Sequence, residues 1–154
     1  MLFRSVASPV SIEADGTTTS TITVTMVDGY GAGVPDLTVS LTPNGGTSTI
    51  TGPTSTNANL TDDNGQVTFT VKASTAQTVT YTAAANSVNV TQKPQVTFTT
   101  PQSTVTAITC ATACTQTAIT STVSWNVTFN RSVTNVTAAA FSLVANGLTG
   151  SSIT

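Results

Sequence analysis

The chain contains no histidine, and charged residues make up 6% of its 154 positions. Without histidine, nucleophilic triads of the Ser-His type are excluded, and no Ser-x-x-Lys alternative is present. The four cations, Arg4, Lys72, Lys93 and Arg131, are scattered. That distribution gives no electrostatic footprint for nucleic acid or for an anionic membrane. No apolar run approaches the ~18 residues of a membrane-spanning helix. Aromatic residues are 5% of the chain and cysteines number two. Two cysteines without histidine cannot complete the four-ligand set of a structural zinc site.

What is abundant is threonine, which fills roughly a quarter of the positions, far above ordinary usage. It is β-branched, favours strands, and lines a wet face without charge. Hydrophobic residues are 38% of the chain and are spread in alternation, which argues for a packed core rather than disorder.

The alternation is regular. Ile22, Val24 and Met26 interleave with Thr21, Thr23 and Thr25; Leu37, Val39 and Leu41 with Thr38, Ser40 and Thr42. Val67, Phe69 and Val71 interleave with Thr68 and Thr70, and Val79, Tyr81 and Ala83 with Thr78, Thr80 and Thr82. A period of two turns one face to a core and the other to water. Turn signals separate these runs: Asp15-Gly16, Asp28-Gly29-Tyr30-Gly31, Asn44-Gly45-Gly46 and Asp62-Asp63-Asn64-Gly65. Short strands at that spacing indicate an all-β chain folded as a two-sheet sandwich.

Gln95-Val-Thr-Phe-Thr99 supplies a last strand, and Pro101 marks a linker. A second unit begins near Ser103. Val105 and Ile108 predict one strand, and Val123, Trp125, Val127 and Phe129 a second. Val133 to Val136 predicts a turn and short strand, and Phe141, Leu143 and Val144 another apolar segment. Some fifty residues is about half of what a sandwich needs, so Trp125 and Phe129 are expected to lack an opposing sheet. The start, MLFRSVASPV, has no secretory signal pattern. The expected division is residues 1–5 as a non-native scar, 6–100 as one sandwich domain and 101–154 as an incomplete second one.

The segments Ala14 to Thr25, Val27-Asp-Gly-Tyr-Gly-Ala-Gly-Val34, Leu37 to Leu41, Thr61 to Thr70 and Thr78 to Ala83 resemble the bacterial immunoglobulin-like repeats of the invasin and intimin family. The resemblance covers about residues 6 to 99. It implies an Ig-like antiparallel β-sandwich in a large bacterial surface or secreted adhesin, acting as a stalk or spacer in cell adhesion. It also implies neighbouring repeats of the same chain as partners, an extracellular or cell-surface location, and no catalytic residues or cofactor. Residues Val127 to Val133 and Thr137 to Leu143 are similar to another group of bacterial extracellular Ig-like repeats. Arg131 there replaces a commonly acidic residue, and Ala140 a common Asp.

Candidate sites are few. Four of the six carboxylates, Asp15, Asp28, Asp62 and Asp63, flank glycine-containing turns, where Asp bonds its own backbone. Asp62, Asp63 and Asn64 offer a partial oxygen set for calcium, which takes six to eight oxygens, but without EF-hand spacing or a repeated Asp-rich linker they are weak candidates, and turn chemistry is the favoured account of them. Cys110 and Cys114 enclose a small loop suited to a local disulfide in an extracellular setting. Tyr30, with Asp28, stands at a turn tip and offers a contact point for a partner. Turn tips or Thr-rich strand faces binding glycan or host protein are thus the alternative to a spacer. The Asn-x-Thr sequons at Asn59, Asn89, Asn126 and Asn135 carry no weight in so threonine-rich a chain.

Overall fold

The computed structural model describes residues 2–57, 59–85, 88–89, 91–111, 123–144 and 152–153. The chain forms two units, Met1–Pro101 and Gln102–Thr154. The first contains β1 (Leu2–Ser8), β2 (Ser11–Glu13), β3 (Ser20–Val27), β4 (Val39–Asn44), β5 (Thr49–Thr54), β6 (Gln66–Lys72), β7 (Gln77–Ala85), β8 (Val88–Asn89) and β9 (Gln95–Thr99).

These strands make two sheets. One has the order β1-β3-β6-β5, the other β2-β9-β7-β4, with β8 attached to β7. All pairings are antiparallel except β2 with β9. The period-two pattern decides which side chains meet between the sheets. Ile22, Val24 and Met26 from β3 and Val67, Phe69 and Val71 from β6 are buried against Val39, Leu41, Val79, Tyr81, Ala83, Val96 and Phe98. Slipping any of these strands by one residue would replace this set by threonines.

The threonines lie on the outer faces in cross-strand register. Thr21 faces Thr70 and Thr23 faces Thr68; on the other sheet Thr78 faces Thr97 and Thr42 faces Thr82. Their hydroxyls bond locally: Thr68 Oγ1 donates to the Thr54 carbonyl at 3.0 Å, and Thr42 Oγ1 to that of Thr82 at 3.2 Å.

Three features depart from the sequence pattern. Residues 2–5 are built into β1, where Leu2 pairs with Val27 and Ser5 is fully buried. Strand pairing uses backbone groups, so a segment without alternating hydrophobics still joins the sheet. β5 forms although Gly52-Pro53 reads as a turn, because the irregular register between Thr51 and Thr54 absorbs the proline at a sheet edge. Finally, β4 begins at Val39 rather than Leu37. The Asp36 N–H donates to the Thr61 carbonyl and the Thr61 N–H to that of Leu37, so this stretch pairs with a loop and not with the sheet.

The second unit contains β10 (Val105–Cys110), antiparallel to β11 (Trp125–Phe129), and a short 3-10 turn at Ala138–Ala140. The expected strand at 133–136 does not form. Asn135 there adopts a left-handed conformation, φ 59°, which breaks an extended run. Residues 141–144 are irregular, and Val123 lies outside β11.

Candidate functional site

The turn residues singled out by sequence fall at the two ends of the first sandwich. β3 starts beside Asp15 and ends at Asp28, so the two ends stand roughly 24 Å apart at ~3.4 Å per residue. At the first end, Asp15 Oδ1 accepts the N–H groups of Thr17 and Thr18 at 2.8 and 2.6 Å, and Oδ2 accepts the Thr18 hydroxyl at 2.7 Å. The backbone N–H of Thr18 is the leading cause holding the Asp15 carboxyl well below the usual range.

At the opposite end the loop 28–34 folds onto the turn 62–65. Asp28 Oδ1 accepts the N–H groups of Tyr30 and Ala32 at 2.8 and 3.0 Å, which lowers its pKa, the Tyr30 amide foremost. Asp62 Oδ1 accepts the N–H groups of Asn64 and Gln66, at 2.9 and 2.8 Å. The two loops touch through glycine. A Cβ on Gly65, whose φ is +71°, would stand 2.0 Å from the Met26 carbonyl oxygen, and one on Gly33 2.3 Å from the Asn64 carbonyl carbon. Met26 N–H donates to the Gly65 carbonyl, and Val34 N–H to that of Met26. Asp28, Tyr30, Asp62, Asp63 and Asn64 are thereby brought to one pole of the sandwich.

Tyr30 is 99% exposed at the tip of this pole. The loop beneath it is held by Asp28, so the ring is displayed on a fixed backbone. Asp62 has one carboxylate oxygen committed to two amides. Among the described residues no group of three or more His, Cys, Asp or Glu side chains lies close enough to hold a metal ion.

Thr61 is the residue at this pole that sequence reasoning missed. It is fully buried; its hydroxyl donates to the Val34 carbonyl at 2.8 Å and accepts the Leu37 N–H at 2.9 Å. Asn57 adds a bond from Nδ2 to Asp36 Oδ1 at 2.7 Å. Nothing distinguishes Thr61 from the many solvent-facing threonines in sequence, since its role depends on two loops meeting.

In the second unit Cys110 ends β10 opposite Trp125 and is disulfide-bonded; Cys114 lies outside the described residues. Cross-strand pairs share a face, so Val105, Ile108 and Cys110 lie with Phe129, Val127 and Trp125. Trp125 is 57% exposed and Ile108 60%, whereas Phe129 and Phe141 are half-buried.

The family model for the bacterial Ig-like domain (group 1) matches residues 4–99. The chain belongs to this family. Solved structures agree in fold with these Ig-like domains. The Yersinia pseudotuberculosis adhesin InvE is similar at 23% identity and TM-score 0.52, over 72% of this chain and 30% of its own. The D0-D1 domain of intimin is similar at 26% identity and TM-score 0.50, over 71% of this chain and 54% of its own. Invasin, a bacterial integrin-binding protein, is similar at 25% identity and TM-score 0.52, over 71% of this chain and 22% of its own. The chain thus spans between about a fifth and a half of the adhesin structures it matches. No curated protein matches it. The neighbours just named are an adhesin, a domain pair of intimin and an integrin-binding protein, and among the described residues no helix is long and apolar enough to cross a membrane.

Proposed function

We propose that the group 1 Ig-like domain is a spacer repeat of a bacterial surface adhesin, holding neighbouring repeats apart outside the cell. The supporting observation is the route of the chain through the sandwich. It enters beside the Asp28 pole, where Leu2 pairs with Val27. It leaves at the Asp15 pole, where the Ala14 N–H donates to the Thr99 carbonyl. Entry and exit at opposite poles turn each domain into a length of stalk. The faces between the poles carry uncharged threonines, of which Thr42, Thr68 and Thr78 bond to neighbouring strands through their hydroxyls, so these faces are wet and neutral.

A second reading rests on Tyr30. A fully exposed aromatic on a fixed loop is a ready anchor for a host protein or glycan. A glycan array and host-protein panel probed with the whole chain separates the two. A spacer gives no saturable binding; saturable binding lost in Tyr30→Ala assigns the pole a contact role.

Residues 102–154 we read as the first strands of a second Ig-like unit, with Cys110 and Cys114 as its local disulfide pair. The support is the apolar face of β10 and β11. A two-stranded sheet needs further layers to be stable, and Val105, Ile108 and Trp125 are the side chains such a layer would cover.

A further inference from the structure

An asparagine followed by glycine stands beside its own nucleophile. Glycine has no Cβ to shield its amide nitrogen, which can close on the asparagine Cγ. Among the described residues two pairs have this sequence, Asn44-Gly45 and Asn64-Gly65; Asn146-Gly147 lies outside them. The fold treats the two pairs differently.

Asn64-Gly65 is locked. The Asn64 N–H donates to Asp62 Oδ1 at 2.9 Å. The Gly65 N–H, the group that would have to attack, donates to the Asp62 carbonyl at 2.7 Å. Gly65 is buried and packs on the Met26 carbonyl and the Val34 amide, while Gly33 packs on the Asn64 carbonyl. Turning the peptide between Asn64 and Gly65 would part the two loops.

Asn44-Gly45 has none of these restraints. Asn44 is the last residue of β4, at the edge of its sheet. The Tyr81 N–H turns to the Pro94 carbonyl, so Thr80 and Thr82 turn their backbones to β4. Asn44, opposite Thr80, turns its own to β7. The next amide, that of Gly45, therefore points outward, and among the described residues nothing accepts its hydrogen. Gly45 is exposed, with nothing within 4 Å of its Cβ position. Gly45 and Gly46 have φ of 76° and 70°, conformations that glycine exchanges for others at little cost. The Asn44 side chain is held by one exposed bond that water can replace, from Nδ2 to the Thr82 hydroxyl at 2.5 Å.

We propose that Asn44 is a self-modification site, deamidating through a cyclic imide, and that the fold protects Asn64 from the same reaction. The Gly45 nitrogen bonds to Asn44 Cγ and the Cγ–Nδ2 bond breaks. The displaced group leaves as ammonia, taking the proton that Gly45 gives up. Water then adds to either carbonyl of the imide and opens that C–N bond, giving aspartate or isoaspartate at residue 44. Water is consumed and ammonia released, and no oxidant or reductant takes part. Either product sets a carboxylate among the neutral side chains of Thr42, Thr80 and Thr82. Isoaspartate also inserts a methylene into the main chain where Asn44 pairs with Thr80. Asp15-Gly16 and Asp28-Gly29 are poorer sites, because an ionised carboxylate resists a nucleophile and both carboxylates are bound to amides.

The test is tandem mass spectrometry of the whole chain, aged in mildly alkaline buffer and digested at intervals. It locates each gain of mass and separates isoaspartate from aspartate by fragmentation. Asn44 is expected to convert first, with isoaspartate among its products. Freeing the Gly65 amide forfeits its hydrogen bond and its packing, so Asn64 is expected to convert about ten-fold or more slowly. In urea that unfolds the chain the two rates should approach each other, because both asparagines then precede a free glycine. Gly45→Ala, checked for folding by circular dichroism, is expected to suppress conversion at residue 44 and leave Asn64 unchanged. Folded protein that loses Asn64 as fast as Asn44, or keeps Asn44 intact while the unfolded chain loses it, overturns the proposal. So does a difference of the same size that survives unfolding, which would place its cause in the neighbouring residues and not in the fold.

Discussion

Gly33 lies against the backbone of Asn64, with no room between them for a methyl group. The contact joins loop 28–34 to turn 62–65 and so builds the pole that displays Tyr30. Gly33→Ala must push one loop off the other. Overpacking of this kind costs about 1–3 kcal/mol, a fall in Tm of several degrees for a domain of about a hundred residues. Gly29→Ala is the control: nothing lies within 4 Å of its Cβ position, and its Tm is expected within a degree or two of the wild type. Thermal melts followed by circular dichroism compare the pair. Equal melting temperatures would show that the loops do not need each other.

Thr61 provides the second link at that pole. Thr61→Val keeps the shape and removes the hydroxyl, leaving the Leu37 N–H without its acceptor. A buried donor left unsatisfied costs about 1–3 kcal/mol. Thr61→Ser retains the oxygen and is expected to recover most of that loss. Urea unfolding of the three proteins measures it, and a valine variant as stable as the serine variant would contradict the hydroxyl's role.

How much of this was legible beforehand depends on the range of the interactions concerned. The alternation in residues 21–27, 67–71 and 79–83 is a local signal, and those strands and their buried sets follow it. The Asp turns are local too, since each carboxylate bonds amides two to four residues on. Thr61, the bond of Ser5 to Gln92 and the contact of Gly33 with Asn64 join segments 24 or more residues apart in sequence, and no spacing within one segment encodes them. β5 was hidden for another reason. Gly52-Pro53 is a sound turn signal that an edge strand can absorb, and the sequence does not say which strand lies at an edge.

Stability is expected to be flat between about pH 5 and 8, where histidine would titrate in other proteins and this chain has none. Below that range it falls. Asp15 and Asp28 are held below the ordinary value of 3.8 by amide hydrogen bonds to the ionised form. A depressed acid contributes stability above its unfolded pKa and loses it as the pH falls through the folded one. Melting temperatures should therefore decline from about pH 4 downward, and Asp15→Asn should flatten that decline. A wild-type Tm that drops between pH 8 and 5 would locate the sensitivity elsewhere.

Trp125 is the single tryptophan of the chain and reports on the apolar face of the second unit. It lies 57% exposed on a two-stranded sheet, beside Ile108 at 60%. Its emission is expected at the long wavelength of a hydrated indole, with quenching by acrylamide close to that of a free tryptophan derivative. Extending the chain by the strands of an opposing sheet should shift the emission to shorter wavelength and suppress the quenching. The shift follows because the covering layer removes water from the ring. A short-wavelength, protected emission from the 154-residue chain as a monomer would mean that its own residues already cover this face, and would remove the ground for reading residues 102–154 as part of a larger sandwich.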